Sequence, residues 1–246
     1  MSGAQANRTT AARRLRFRVE AWAGWFAGAE ALEQGGATAP ARPLPASLRR
    51  RITPLGRRAL EAAWAVLPEG AMPRLVLSSR HGEYQRTFDL LGQLATEGTV
   101  SPADFSLSVH HALAGLLSIV TGGDGGHTAV SAGAESFSFG LIEAVGCAVE
   151  DQAGAILLHF DAPLPEIYHP VAEPDRPELA LALRLAPPGS TAGIGLDLVL
   201  DSGGWGEGDA GLAEGCVRVL RGAAVAEMAG PRFGWCWRRA GGGDDA

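Results

Sequence analysis

The sequence predicts an α/β fold: a mixed central sheet covered by helices on both faces. Three observations predict it. Strand-like and helix-like runs alternate from residue 15 to residue 240. The run RLVLSS (74–79) is apolar without alternation, the mark of a strand buried on both sides. Two strand-like runs, ELALALRLAP and STAGIGLDLVLD, follow each other with no helix between them, which points to an antiparallel or mixed edge of the sheet.

Taken in order, LRFRVEAWAGW (15–25) alternates Leu15, Phe17 and Val19 with Arg16, Arg18 and Glu20, so it reads as a half-buried strand. GGATAPARPLPAS is a Pro/Gly/Ala-rich loop. A helical run opens at Ser47. Within it, Thr53-Pro54 supplies a cap and a proline at the first helical position, and Leu55, Ala59, Ala62, Ala63 and Val66 form one apolar face. After the RLVLSS strand, HGEYQRTFDLLGQLATEG is a helix closed by Gly98. The stretch from Ser101 begins as a loop and becomes an apolar helix at about Val109. HTAVSAG is a strand, a helix follows Glu135, and AGAILLHFDAPLP is the next strand. After the two adjacent strands, GLAEGCVRVLRGAAVAEMAG reads as one helix and RFGWCWRRA as a last strand. The expected organisation is a flexible arm over residues 1–14, one domain over 15–240, and a disordered tail over 241–246.

Composition narrows the classes. Hydrophobic residues make up 46% and charged ones 20%, ordinary for a globular chain. No apolar run approaches the ~18 residues of a membrane span, and the N-terminus lacks the apolar stretch of a secretory signal, so a cytoplasmic protein without a membrane span is expected. Cys147, Cys216 and Cys236 form no CxxC pair and no zinc spacing, so no metal and no cofactor are expected. Net charge is −6, yet residues 1–60 hold 11 Arg against 3 Glu. All 21 cationic side chains are arginine. The basic front attracts acidic partners, but it lacks a nucleic-acid motif and interleaved aromatics, so nucleic acid is not expected.

Several motifs fail on context. Gly122–Gly126 precedes a strand, whereas a phosphate-cradling loop follows one, so it is a turn. Ser78-Ser79-Arg80-His81-Gly82-Glu83 suggests a hydrolase, but no GxSxG surrounds either serine; Ser79 or His81 capping the next helix is the plainer reading. Adjacent His110 and His111 on a helix diverge by about 100°, which suits hydrogen bonding better than one shared metal. Glu135 stands apart: it sits where a strand gives way to a helix, at the end that favours an anion and that lowers the pKa of a cysteine placed there.

Four blocks carry a family likeness: RFRVEAWAGWFAG, LVLSSRHGEYQRTFDLL, SPADFSLSVHHALAGLLSI and AVSAGAESFSFGLIEA, spanning roughly residues 15–160. In this order they resemble the N-terminal half of the β-ketoacyl synthases of the thiolase fold. They are most like the small, truncated synthase-like proteins of aryl polyene and xanthomonadin-type pigment clusters, which are similar to chain length factors. The resemblance implies a single thiolase-like half. In a working synthase this strand–turn–helix carries a nucleophilic cysteine within Thr-Ala-Cys-Ser-Ser. Aligned on it, Ala134 falls on the alanine, Glu135 on the cysteine and Ser136 on the next serine. Two histidines that the synthase's second half supplies have no counterpart after residue 160, where His169 stands alone. Condensation needs an acyl-thioester and groups that stabilise the developing enolate, so the resemblance implies no catalytic residues and no activity by this chain alone.

The resemblance also implies partners. His127, Thr128, Ala129, Val130, Ser131, Ala132 and Gly133 would pair across a dimer axis with a full-length ketosynthase. Leu116, Phe137 and Phe139 would shape an acyl tunnel, against core packing as the plainer role of each. Arg49, Arg50, Arg51, Arg57 and Arg58 would dock an acidic acyl carrier protein, against a solvated helix surface. The expected function is a noncatalytic chain-length-factor-like subunit of a polyketide or fatty-acid-like pathway. The alternatives are a small acyl-thioester hydrolase using Ser79 and His81, a malonyl-carrier decarboxylase, and a carrier-recruiting assembly factor.

Overall fold

The computed structural model describes residues 13–39, 44–70, 72–168, 170, 177–202 and 211–241. Most of the expected N-terminal arm, nearly all of the expected tail, and His169 lie outside these residues. The chain divides into two compact units, Phe17–Ile194 and the remainder (up to Arg16 and from Gly195 onward).

The larger unit holds β1 (Arg13–Phe26) from Phe17 onward, β2 (Glu33–Gly36), β3 (Arg74–Ser78), β4 (His127–Val130), β5 (Ala155–Asp161) and β6 (Leu179–Leu185). Their order is β4-β3-β5-β6-β1, with β2 paired onto β1. β3 runs parallel to β4 and β5, and β6 runs antiparallel to β5 and β1. The sheet is therefore mixed, as the sequence predicts, but the antiparallel strand is not at the expected edge: β6 lies inside, between β5 and β1.

Two helix layers follow from the pleat. Leu75, Leu77, Ile156, Leu158, Phe160, Ala180 and Ala182 point to one face, where α2 (Pro54–Val66) and α5 (Ala112–Thr121) cover them. Val76, Ser78, Leu157 and His159 alternate with them and face α6 (Ser136–Asp151). Strands covered on both sides read as continuous apolar runs, which is why RLVLSS lacks alternation.

Local signals explain most boundaries. Thr53 caps α2, its Oγ1 accepting from Gly56 N at 2.9 Å, with Pro54 at the first position. Gly98, at φ +70°, closes α3 (Tyr84–Glu97) as expected. The run from Ser47 is not one helix: α1 (Ala46–Arg49) ends before Thr53 starts α2. The segment expected as a loop after Ser101 forms α4 (Pro102–Ser108), capped by Ser101 through Asp104 N. This is the same Ser/Thr-Pro signature that marks α2. Val109 is extended, so α5 begins three residues later than expected.

The smaller unit contains the start of β1, then β7 (Ile194–Asp201), β9 (Gly234–Arg239) and β8 (Val225–Ala229) in that order, with α7 (Leu212–Leu220) packed on β8 and β9. The expected helix over 211–230 is corrected here: its second half is strand β8, in a hairpin with β9. Alanine-rich composition favours a helix. Alternation of exposed Val225, buried Ala226 and exposed Glu227 against β9 decides otherwise.

Asp197, almost buried, receives Arg14 at 2.5 Å and Arg16 at 2.9 Å. Burial alone would raise its carboxyl, but the two guanidiniums outweigh it and hold the pKa below the usual carboxylate value. A depressed carboxyl contributes stability above its unfolded pKa and loses it as pH falls through the folded value. Asp197→Asn is therefore expected to lower stability at neutral pH, and its difference from the parent to shrink as pH falls through the depressed folded pKa of this carboxyl. Denaturant melts of the two proteins from neutral to acid pH check it.

Candidate functional site

The site is built at the C-terminal tips of β3, β4 and β5, where open parallel sheets place their chemistry. After β4, the chain turns through Ser131–Glu135 and enters α6. Ser136 closes this turn: its hydroxyl donates to Gly133 O at 2.7 Å and accepts from Ala132 N at 2.9 Å. Glu135 takes the N-cap position and is fully buried, but its side chain makes no capping hydrogen bond to α6. A buried carboxylate thus occupies the helix-end position anticipated from sequence, and the serine that follows it closes the turn.

Behind the turn, α6 lies close on β3. A Cβ on Gly140 would stand 2.7 Å from Ser78 Oγ, so only glycine fits this approach. Phe137 is buried against His159, with ring centroids 5.2 Å apart. It therefore belongs to this chain's own core, while Phe139 and Leu116 are only partly buried.

The loop after β3 is organised by Asp161 at the end of β5. One carboxylate oxygen, Oδ1, accepts from Ser79 Oγ (2.8 Å), Arg80 N (2.8 Å) and His81 N (3.3 Å). Ser79 Oγ in turn accepts from Gly82 N at 2.7 Å, and His110 Nε2 lies 3.1 Å from Ser79 O. Ser79 and His81 therefore do not cap α3; Glu83 holds that position. Ser79 is fully buried and gives its proton to Asp161. Glu83 accepts from Thr53 Oγ1, and burial pushes its carboxyl up despite that bond.

Sequence reasoning missed His159 and Asp161. Ser78 Oγ and Ser78 O lie 2.9 and 3.0 Å from His159 Nδ1, and His159 Nε2 lies 3.7 Å from Asp161 Oδ2. This has the composition of a triad, but Ser78 is fully buried with α6 at Gly140 packed on it. An acyl group has no approach, so the network ties β3 to β5. The signal available in the sequence was a histidine and an aspartate within the otherwise apolar run AILLHFDA.

All three cysteines are buried. Burial pushes the Cys147 and Cys216 thiols up, away from thiolate. Among the described residues, no group of three or more His, Cys, Asp or Glu side chains is placed to hold a metal ion. His111 instead meets His127 of β4, ring to ring at 5.6 Å.

The predicted pairing segment is the edge of the larger unit's sheet. β4 bonds to β3 on one side, and among the described residues no strand pairs with the other. His127, Ala129, Ser131 and Gly133 are exposed, and Thr128, Val130 and Ala132 partly so. The five arginines separate. Arg58 lies over Trp25, pairs with Glu61 and donates to Glu30 O. Arg57 donates to Arg49 O, while Arg50 and Arg51 border an open groove with α4 and α5.

A mixed α/β sheet with a buried carboxylate at the strand-to-helix turn is the architecture that the resemblance to the β-ketoacyl synthases leads one to expect. Comparison gives the same class: the family described as beta-ketoacyl synthase, N-terminal domain, matches residues 22–238, and the chain belongs to it. A solved structure from Xenorhabdus doucetiae, described as a ketosynthase (ApeO) in complex with its chain length factor (ApeC), contains a similar chain. The two superpose with a TM-score of 0.70 at 29% identity, over 82% of this chain and 84% of that one. A search of curated proteins found no match. Among the described residues no single helix is long and apolar enough to cross a membrane.

Proposed function

We propose that this chain is a noncatalytic, chain-length-factor-like subunit that pairs with a full-length ketosynthase in aryl polyene-type biosynthesis in the cytoplasm. Residues 15–240 act in it as one synthase-like half, consistent with a family match that runs through both compact units. The observation that carries the reading is the juxtaposition, among the described residues, of a β4 edge with no strand partner and a strand-to-helix turn headed by the buried Glu135; in this reading Glu135 stands where a synthase holds its thiol. A carboxylate forms no acyl-thioester, whereas an unpaired strand edge offers backbone groups to another chain.

In this reading, β4 and the turn to Gly133 meet the synthase. Leu116 and Phe139, which keep exposed surface, contribute to the wall of the partner's acyl tunnel. The acyl carrier protein reaches the pair, with the basic front (Arg49, Arg50, Arg51, Arg57 and Arg58) as its docking face. The chain needs no cofactor for such a role.

Co-expression tests this directly. The chain is expected to be poorly soluble alone and to co-purify with its synthase in a one-to-one complex. Ala129→Glu, on the exposed β4 edge, is expected to abolish co-purification. Leu116→Trp and Phe139→Trp are expected to keep the complex and shorten its products. A soluble monomer indifferent to the synthase, or condensation by the chain alone, overturns the proposal.

A further inference from the structure

His111 and His127 come together at the open edge of the larger unit's sheet. His111 is the N-cap residue of α5, and His127 opens β4, where it pairs with Leu75 of β3. Sixteen positions separate them, so no ligand spacing in the sequence joins them. Both residues are exposed, with ring centroids 5.6 Å apart and ring planes tilted by 40°. Aromatic rings that attract each other lie offset and near-parallel or meet edge to face, and this pair does neither. Among the described residues neither imidazole makes a hydrogen bond, and the His111 side chain makes no capping bond to α5.

The separation is close to the one a shared ion requires. Two imidazoles on one tetrahedral ion, each nitrogen about 2.0–2.1 Å from it, hold their centroids roughly 5–5.5 Å apart. Exposed side chains can rotate through the small difference. We infer that His111 and His127 together bind one late first-row divalent ion such as Zn²⁺, with water completing its coordination. Donor type sets the choice of ion. Imidazole suits zinc, copper and nickel, whereas calcium and magnesium need several oxygens. His111 also borders the groove that Arg50, Arg51 and Arg86 line, where Asp104 is the one carboxylate among the described residues, so no acidic cage for a hard cation surrounds it. An ion held there clamps the first residue of β4 to α5. It thereby fixes an edge strand that, among the described residues, bonds to the sheet on one side only. This goes beyond the pairing with a synthase and stands whether or not that pairing occurs.

The full chain, produced without a histidine tag and stripped with a chelator, is titrated with Zn²⁺ by calorimetry. One ion per chain is expected, with Ca²⁺ and Mg²⁺ giving no heat beyond dilution. Two donors held together bind far better than one, so His111→Ala and His127→Ala should each weaken binding at least roughly a hundredfold. The double variant should lose little more than either single change, the mark of one shared site. His81→Ala, in the loop after β3, should bind as the parent does. Zn²⁺ should also raise the melting midpoint of the parent and of His81→Ala, but not of the two site variants.

Where an alanine variant fails to fold, His111→Gln or His127→Gln keeps a polar side chain of similar size and should lose the ion equally. Cu²⁺ on the parent should show two nitrogen ligands by electron paramagnetic resonance, and fewer on either variant. Binding by either single variant as tight as the parent's overturns the inference. So do equal heats with Ca²⁺, or a second loss of similar size in the double variant, which would mean two separate sites. Co-purification with a synthase is scored separately, so the ion site and the pairing can fail independently.

Discussion

Gly140→Val is expected to unfold the larger unit or to release α6 from its sheet. The first atom of any side chain at this position would stand 2.7 Å from Ser78 Oγ and 3.2 Å from the Leu157 methyl, both on strands paired within the core. Neither neighbour can yield, because Ser78 is bound to His159 and Leu157 is fully buried. Overpacking of this kind costs about 1–3 kcal/mol for a single methyl and more for a branched side chain. The expected loss is therefore about 1–3 kcal/mol for Gly140→Ala and above 3 kcal/mol for Gly140→Val. Denaturant unfolding measures both. Removing the obstructing atoms should partly rescue, so Ser78→Gly combined with Gly140→Ala should be less destabilising than the sum of the two changes, by about 1 kcal/mol. A stable Gly140→Val protein would show that α6 does not lie where described. Because α6 carries Glu135 and follows the β4 turn, loss of its seat should also abolish pairing with a synthase.

Asp161→Ala carries the second large effect. A single carboxylate oxygen gathers Ser79 Oγ and the amides of Arg80 and His81, and Ser79 is buried without access to water. Bonds to a charged acceptor contribute about 1.5–3 kcal/mol each, and leaving buried donors unmet adds its own cost. A loss of about 3–5 kcal/mol is expected, with the loop at 79–82 becoming the first site of proteolytic cleavage. Asp161→Asn keeps one acceptor oxygen and should lose less than half as much. Equal stability of Asp161→Ala and the parent would remove this carboxylate from its organising role.

The sequence and the structure agree where one physical cause dominates. The Thr53-Pro54 start, the Gly98 stop and the uninterrupted apolar strand at 74–78 each follow from local stereochemistry or from burial on both sides. Disagreement arises where a distant partner decides. Val225–Ala229 is alanine-rich enough for a helix and becomes a strand because β9 lies beside it. Glu135 was legible as an acid at a helix end, but Ser136 as the residue that closes the turn was not, since both oxygen-bearing side chains suit that place. Asp161 and His159 were hidden because their partners, Ser78 to His81, lie about eighty positions earlier in the chain. The arginine face was legible as charge, but not as a groove, because Val109, Leu116 and Ile119 come from a segment whose helix break was not anticipated.

The brevity of β4 sets the energetics of any strand-to-strand union. Four residues offer only a few outward main-chain groups, and each such bond nets about 0.5–1.5 kcal/mol. Together they supply roughly 2–6 kcal/mol, against about 12 kcal/mol for nanomolar affinity before the entropic cost of association. Main-chain pairing at this rail can therefore align two polypeptides in register without gluing them, and adhesion must come from the side chains flanking it. Mates would then be told apart by the shape and polarity of those flanks, since the rail itself presents the same backbone to every comer.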